Sequence, residues 1–397
     1  MGHARRSLAV RVFLLLCALA LCALLAGCAG ESAQEGQSAP EWDWDAGTSL
    51  TLAEVEEPAY ATGFAIGDYE GGYKLIDIAD EGRFLVVPEG ASAPDDLAED
   101  IVVLQQPLDH IYLVASATMD MFRAIDGIDA IGLSGTKQSD WHIAEAADAM
   151  GSGDIVYAGK YSMPDYELIL SEGCDLAVES TMIYHNPEVK EALEDHGIPV
   201  LVDQSSYEGD PLGRMEWVKV YGALLGKDDE ATAAFEAQRK LFEGVVADSE
   251  GMEEHKSVAF FYITANGSVN VRKSDDYVPK MIELAGGTYA LTERGDPDSA
   301  SSTVGMQMEE FYAAAKDADY ILYNSTIAGE VDSLDELLGK SEFLGKFKAV
   351  QDGNAWCVTQ NMYQDSMELG DFISDVHKIL VDPDTPDDEL TYMKRLK

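Results

Sequence analysis

Residues 227–248 read KDDEATAAFEAQRKLFEGVVAD, and this stretch decides the fold. Gly226 and Gly251 stand near its two ends, and Asp228 and Asp229 place acids at the positive N-terminal end of a helix. A helix of about twenty residues is roughly 30 Å long, about the width of a small domain. Two interpretations are open: a helix that joins two α/β lobes, or an ordinary surface helix of one larger domain. Apolar residues recur at steps of three and four, as on one helix face: Ala231, Ala234, Phe235, Leu241, Phe242, Val245 and Val246.

Alternating strand and helix patterns lie on both sides of this helix. Apolar runs at 73–78 and 83–87 predict a hairpin, and the strand patterns at 175–179 and 198–203 are each followed by a helix pattern. Residues 256–264 begin a similar series. Such alternation predicts a mostly parallel sheet covered on both faces. The sequence therefore predicts an α/β protein.

The charge and the motifs of the chain limit its function. The formal net charge is −46 over 397 residues, and such a surface repels nucleic acid. The sequence contains no G-x-x-x-x-G-K-[ST], G-x-G-x-x-G, G-x-S-x-G or H-E-x-x-H motif. A binding protein without an intrinsic cofactor is therefore expected rather than an enzyme. An extracellular hydrolase is the less favoured alternative.

The first residues have the pattern of an export signal. Three arginines precede an apolar run at 12–26, which is short for a membrane span and ends in Leu25-Ala26-Gly27-Cys28. This resembles a bacterial lipobox, which implies a signal peptide at 1–27 and a lipid on Cys28. We therefore expect the mature protein at the outer face of the cytoplasmic membrane, or in the periplasm, anchored to the membrane by this lipid.

The segment after Cys28 is small, acidic and polar. Residues 28–58 are therefore expected to be a flexible tether without a core of its own. Cys174 and Cys357 lie beside strand patterns in different halves of the chain, so we expect two buried free thiols rather than a disulfide.

Residues 157–178, YAGKYSMPDYELILSEGCDLAV, carry the most specific signal. A glycine, a loop, a Pro-x-x-Glu that opens a helix and an Asp-Leu that leads a strand resemble the substrate-binding proteins of ABC importers for iron-siderophores, haem and cobalamin. Cys174 stands where that family usually has proline. The resemblance covers about residues 60–381 and implies the class III periplasmic-binding-protein fold, with two Rossmann-like lobes joined by one long rigid helix. The expected lobes are residues 59–227 and 250–397, the second with the tail, and the expected helix is residues 228–249.

The resemblance also implies partners, namely an ABC permease and its ATPase. The family docks on its permease through one exposed glutamate in each lobe. Glu167 matches the first of these. In the second lobe QMEEF at 307–311 points to Glu309, with Glu310 as the fallback. The alternative is that each glutamate only complements the dipole of its own helix.

Ligands of open α/β sheets bind beyond the carboxyl ends of the strands. The loops after 175–179 and 198–203 are therefore candidate binding loops, and Glu208 lies in the second of them. For His185 the alternative is a helix-capping role, and for Arg214 a structural pair with Glu216. The predicted ligand-binding residues are Tyr184, His185, Tyr207, Arg214, Lys160, Tyr161, Arg272 and Tyr363.

Tyrosine rings and arginines suit an anionic chelate with an apolar body. They favour a ferric siderophore as the ligand, with haem and cobalamin as alternatives. A second alternative is a zinc or manganese receptor. That site needs about three converging histidine or carboxylate ligands, and the sequence shows no such cluster in its candidate loops. No metal ligand is therefore predicted.

Overall fold

The computed structural model describes residues 42–47, 49–291 and 302–397. The predicted signal peptide and Cys28 lie outside the described residues. Cys174 and Cys357 are free thiols, as predicted; Cys357 is buried, whereas Cys174 is only partly buried. Among the described helices, none is both long and apolar enough to cross a lipid bilayer.

The described chain begins with a five-stranded sheet. Its strands lie in chain order, antiparallel to each other except for the last pair, which is parallel. The predicted hairpin is confirmed as the third and fourth strands, and Asp80 in its turn has a φ of 61°. The strands are β1 (Leu52–Glu56), β2 (Phe64–Tyr69), β3 (Lys74–Ile78), β4 (Gly82–Val87) and β5 (Ile101–Gln105).

The first strand corrects the interpretation of residues 28–58 as a tether for the described part of that range, because residues 42–47 and β1 are packed on the body. Residues 28–41 lie outside the described residues. Buried Arg83 donates a hydrogen bond to the carbonyl of Asp43 at 3.2 Å and forms an ion pair with its carboxylate at 3.0 Å. A Cβ atom at Gly67 would lie 2.7 Å from the ring of Trp44. The glycine therefore lets this indole lie against the sheet. These partners come from β2 and β4, which the composition of the segment itself does not reveal.

The second sheet has the order β12-β11-β6-β7-β8, and all its pairs are parallel. Leu176 and Val178 pack into one hydrophobic core and Ala177 into another, so the sheet is covered on both faces, as predicted. Its strands are β6 (Ile111–Leu113), β7 (Ile131–Ser134), β8 (Val156–Tyr157), β11 (Leu176–Ser180) and β12 (Val200–Asp203). The strands β9 (Gly159–Lys160) and β10 (Met163–Pro164) form a separate antiparallel pair. The helices are α1 (Met119–Ala124), α2 (Ala144–Ser152), α3 (Tyr166–Ser171), α4 (Pro187–Asp195), α5 (Pro211–Glu216) and α6 (Val218–Leu225).

The helix α7 (Asp228–Ser249) comes next. Below, the N-terminal lobe means the described residues before α7, and the C-terminal lobe means those after it. The sheet of the C-terminal lobe has the order β16-β14-β13-β17-β18-β19, with β15 beside β13. Its strands are β13 (Ser257–Ile263), β14 (Val269–Arg272), β15 (Thr288–Tyr289), β16 (Thr303–Met306), β17 (Tyr320–Asn324), β18 (Ala355–Val358) and β19 (Met393–Arg395). Its helices are α8 (Tyr277–Leu284), α9 (Met308–Ala315), α10 (Ser325–Ala328), α11 (Leu334–Lys340), α12 (Lys348–Gln351) and α13 (Leu369–Val381).

The helix α7 is held by both lobes. A Cβ atom at Gly222 of α6 would lie 2.6 Å from that of Ala231, and one at Gly370 of α13 would lie 2.5 Å from Oε1 of Gln238. Glycine thus permits close packing of one helix from each lobe against α7. This confirms the predicted linking helix. The buried residues of α7 include Ala231, Phe235, Phe242 and Val245.

Candidate functional site

Two neighbouring loops form the N-terminal side of the candidate site. The turn Thr181–His185 follows β11, and the turn Ser205–Tyr207 follows β12. The hydroxyl oxygens of Thr181 and Ser206 lie 3.4 Å apart, so the two loops are adjacent. Three large apolar side chains remain exposed on these loops and are available to a ligand: Met182 at 44 %, Tyr184 at 40 % and Tyr207 at 57 %.

The hydroxyl of Tyr184 is already engaged. It donates a hydrogen bond to the carboxylate of Glu81 in the β3–β4 turn and accepts one from Nε2 of Gln204 at 3.2 Å. Glu81 also accepts from Lys190 at 2.7 Å. Burial and the Glu81 carboxylate raise the pKa of Tyr184. Tyr184 therefore stays a neutral phenol and offers a ligand its ring rather than an oxygen anion.

The other predicted residues of this lobe are placed differently. His185 is exposed on the same turn as Tyr184. Lys160 is exposed and Tyr161 half-buried at the β9–β10 hairpin, which Tyr112 anchors by donating to the carbonyl of Gly159 at 2.7 Å. Within the described chain, no hydrogen bond or ion pair links this hairpin to Arg214 or to the predicted residues of the C-terminal lobe.

Arg214 of α5 spans the gap between the lobes. Its Nη1 donates to the carbonyl of Ser206 at 2.8 Å, and its Cζ lies 4.0 Å from the ring centroid of Tyr277 at the start of α8. At this distance the guanidinium makes a cation–π contact with the ring, and a guanidinium is also a donor to carboxylates. Arg214 therefore combines an interlobe contact with the chemistry of an anion-binding residue.

Arg272 continues this contact into the C-terminal lobe. Its Cζ lies 5.7 Å from the ring centroid of Tyr277 and 4.9 Å from that of Tyr363. It forms an ion pair with Asp276 at 3.2 Å and donates a hydrogen bond to the hydroxyl of Tyr363. Although burial lowers the pKa of Arg272, Tyr363 and Asp276 raise it overall, so the guanidinium stays charged. Arg214, Tyr277, Arg272 and Tyr363 are called the arginine–tyrosine cluster below.

The residues that follow Tyr363 hold the two lobes together. The side chain of Gln364 accepts from the backbone N–H of His142 at 2.7 Å and donates to the carbonyl of Asp140 at 2.8 Å. The N–H of Met367 donates to the buried carboxylate of Asp120 at 2.7 Å. These bonds fix the separation of the lobes directly beside the arginine–tyrosine cluster.

Both predicted docking glutamates are exposed in the first turns of their helices, Glu167 in α3 and Glu309 in α9. The cap of α3 is supplied by Asp165, whose Oδ1 accepts from the N–H of Leu168 at 3.1 Å. Glu167 is therefore not needed as the cap of its own helix. Glu310 is exposed beside Glu309.

Two glutamates near the candidate site, Glu208 and Glu216, have structural roles instead. Glu208 is buried and accepts from the N–H groups of Thr62 and Gly63, each at 2.9 Å, and from the indole of Trp217 at 3.1 Å. It holds the chain that enters β2, so its interpretation as a ligand-facing residue is wrong. The suggested pair of Arg214 with Glu216 is also absent among the described contacts.

Glu216 accepts instead from the N–H groups of Ala59, Tyr60 and Ala61 at 2.8–3.1 Å and pairs with Lys219 at 3.1 Å. Arg214 therefore does not pair with Glu216 and instead contacts Tyr277 of the C-terminal lobe.

Sequence reasoning missed Tyr277, Gln364 and Asn324. Tyr277 reads as an ordinary first residue of a helix, and only the packing of α5 against α8 brings it beneath Arg214. Asn324 ends β17 and donates to the hydroxyl of Tyr363 at 2.9 Å. Its place at the carboxyl end of a strand is a signal that could have found it.

A separate groove of about 430 Å³ runs along α7. It is floored by apolar side chains of both lobes and contains none of the predicted site residues. Its lining includes Tyr60, Leu212, Phe242, Val246, Lys280 and Leu284. The candidate site is the arginine–tyrosine cluster with the neighbouring loops, because there exposed aromatic groups and charged guanidinium groups occur together.

Comparison with known proteins connects this geometry to a known fold. No family model matches the chain. An uncharacterized lipoprotein of Methanocaldococcus jannaschii is 24 % identical over 320 residues, which are 76 % of this chain and 73 % of the relative. A second uncharacterized lipoprotein of that organism is 23 % identical over 83 % of this chain and 84 % of its own length.

Three solved structures share the architecture. A periplasmic heme binding protein from Pseudomonas aeruginosa superposes with a TM-score of 0.57 and 16 % identity over 70 % of this chain and 94 % of its own. An ABC-type Fe3+-hydroxamate transport system from Saccharomonospora viridis superposes with a TM-score of 0.53 and 20 % identity, over 68 % of this chain and 93 % of its own. A periplasmic vitamin B12 binding protein of Vibrio cholerae superposes with a TM-score of 0.50 and 14 % identity, over 69 % of this chain and 97 % of its own. The chain thus has the class III periplasmic-binding-protein fold that the sequence predicted.

Proposed function

We propose that this chain is an extracytoplasmic solute-binding lipoprotein. In this proposal it captures a chelated metal cofactor between its two lobes and delivers it to an ABC permease. The ligand is a ferric siderophore, with haem and cobalamin as the alternatives. Cys28 carries the lipid anchor, and the permease and its ATPase are the partners. The role is binding and handover, without a catalytic step.

The arginine–tyrosine cluster carries this proposal. Arg214 comes from one lobe and Arg272 from the other, and both flank the ring of Tyr277. The guanidinium of Arg214 suits a carboxylate or another anionic group of a chelate. Arg272 adds positive charge beside it, while its own N–H groups donate to Asp276, Ser302 and Tyr363. The exposed rings of Tyr184 and Tyr207 supply apolar surface for its body. A ligand held here touches both lobes at once.

Docking is proposed to use the exposed carboxylates of Glu167 and Glu309, one from each lobe. Arginine–carboxylate pairs fix orientation as well as supplying attraction. Because α7 and the bonds of Gln364 and Met367 fix the separation of the lobes, the permease meets the two glutamates at a fixed spacing. Capture therefore requires little hinge motion.

The zinc or manganese receptor is supported less well. Within the described residues, one group of three histidine and carboxylate side chains comes together: Asp109, His110 and Asp175. It lies at the amino ends of β6 and β11, whereas the candidate site lies beyond the carboxyl ends of β11 and β12. It therefore gives no support to bare-metal capture between the lobes.

Titration of the mature protein with a ferric carboxylate siderophore, haemin and cobalamin, followed by tryptophan fluorescence, tests the proposal. We expect one of the three to bind at one equivalent per chain. Tyr207→Ala should weaken binding of that ligand about fivefold, because an aromatic contact of about 1 kcal/mol is lost. Tyr184→Phe is the matched control and should bind normally, because the hydroxyl of Tyr184 is engaged with Glu81. An unchanged signal with all three compounds would exclude the proposed ligand classes.

A further inference from the structure

Three side chains with metal-binding groups meet at one end of the parallel sheet of the N-terminal lobe, the end that faces away from the candidate site. Asp109 and His110 precede β6, and Asp175 precedes the adjacent parallel strand β11. Each offers one ligand atom, and these three atoms all lie within 4.8 Å of one another. Since 65 residues separate His110 from Asp175, only the pairing of β6 with β11 brings the group together.

The backbone fixes the carboxylate of Asp175. Its Oδ2 accepts from the N–H of Asp109 at 2.9 Å and from the N–H of His110 at 3.1 Å. Its Oδ1 is shielded from solvent and has no hydrogen-bond partner among the described residues. A carboxylate oxygen that is shielded from solvent and lacks a donor is uncommon, and a bound cation would satisfy it. This orphaned oxygen is independent of the clustering itself.

The donor set indicates the class of ion. One imidazole nitrogen and two carboxylate oxygens suit first-row divalent ions such as Zn²⁺ and Co²⁺. Asp109 and His110 are exposed, so both side chains can adjust to the ligand distances of about 2.0–2.2 Å that such ions require. Water can then complete the coordination shell. The two N–H groups that hold Asp175 would orient a ligand carboxylate as second-layer donors do.

We propose that Asp109, His110 and Asp175 form a binding site for a divalent transition-metal ion, separate from the site between the lobes. The rival explanation is a plain ion pair, in which His110 Nδ1 lies 2.8 Å from Oδ1 of Asp109. That pair involves two of the three residues and leaves the Oδ1 of Asp175 without a partner. Coordination of an ion engages all three.

Calorimetric titration of the chelator-treated mature protein with Zn²⁺ tests this site, and Co²⁺ absorption spectra report its ligands. We expect one tight equivalent and a rise in Tm with Zn²⁺. His110→Ala should weaken Zn²⁺ binding at least tenfold and abolish the Tm rise. His142→Ala, which alters another exposed histidine of the same lobe, is the matched control and should bind Zn²⁺ as the unaltered protein does.

Equal Zn²⁺ affinity in His110→Ala and the unaltered protein would overturn the proposal, and so would the lack of a saturable equivalent. Asp175→Asn gives a second measurement, because the amide keeps an oxygen for the two N–H groups. It should keep the fold, as judged by circular dichroism, and still lose Zn²⁺ affinity. Chelate binding between the lobes should be unchanged in all three variants, so failure of this site and failure of the proposed function are distinguishable.

Discussion

Replacing Glu179 by glutamine is expected to raise the free energy of unfolding at pH 9 by about 5 kcal/mol. Glu179 lies in β11 with no exposed surface, and neither of its carboxylate oxygens has a hydrogen-bond partner among the described residues. Burial raises its pKa from the ordinary 4.5 to about 8. The folded protein therefore keeps a proton there that the unfolded chain has lost at neutral pH.

This proton determines whether the free energy of unfolding rises or falls with pH. Between pH 4.5 and 8 the folded state binds more protons at this position than the unfolded state, so stability falls as the pH rises through that window. Each pH unit between the two pKa values is worth about 1.4 kcal/mol. Below pH 4.5 the carboxyl is protonated in both states, and its effect vanishes. Glutamine does not titrate, so the advantage of Glu179→Gln should grow from near zero at pH 4 to its full size above pH 8.

Urea unfolding of both proteins at pH 4, 6, 7.5 and 9 measures this difference. Glu194→Gln, which alters an exposed glutamate of α4, is the matched control and should change stability by less than about 0.5 kcal/mol at every pH. A Glu179→Gln effect that is the same at pH 4 and pH 9 would show that Glu179 is not held protonated in the folded protein.

Charge reversal at both docking glutamates is expected to abolish uptake while leaving the ligand affinity unchanged. In the proposed docking, Glu167→Lys combined with Glu309→Lys replaces two attractive contacts to permease arginines with repulsion, which costs several kcal/mol per interface. Both side chains are exposed, so the fold should tolerate the changes. Uptake of labelled ligand by proteoliposomes that contain the permease and its ATPase is the measurement, with ligand affinity determined in parallel.

Glu70→Lys is the control for charge, because Glu70 is exposed in a turn of the first sheet. Uptake should persist in that variant. Normal uptake by the Glu167→Lys, Glu309→Lys protein would remove these glutamates from the docking surface. A loss of ligand affinity would instead place them in the binding site.

The fold could be predicted where the signal is local. The linking helix was predicted over 228–249 and is found at Asp228–Ser249, because its apolar spacing and terminal residues lie within one stretch of chain. The strand β1 was missed because its partners are elsewhere: Arg83 and Gly67 hold the preceding segment on the sheet. An acidic composition alone predicted a tether there.

The candidate site could be predicted only where its residues carry a local signal in the sequence. The rule that ligands bind beyond the carboxyl ends of strands identified the loops that carry Tyr184 and Tyr207. Tyr277 and the group around His110 depend on which helices and strands are neighbours in space. That order is set by the packing of the whole lobe, and a single sequence gives no local signal for it.

The central claim is that a metal chelate is held between the two lobes against the arginine–tyrosine cluster. A crystal structure of the complex with whichever chelate binds in the titration tests it most directly. The claim predicts the chelate in contact with the ring of Tyr207, with an anionic group within hydrogen-bond distance of the Arg214 guanidinium. A chelate bound elsewhere, for example in the groove along α7, would contradict it.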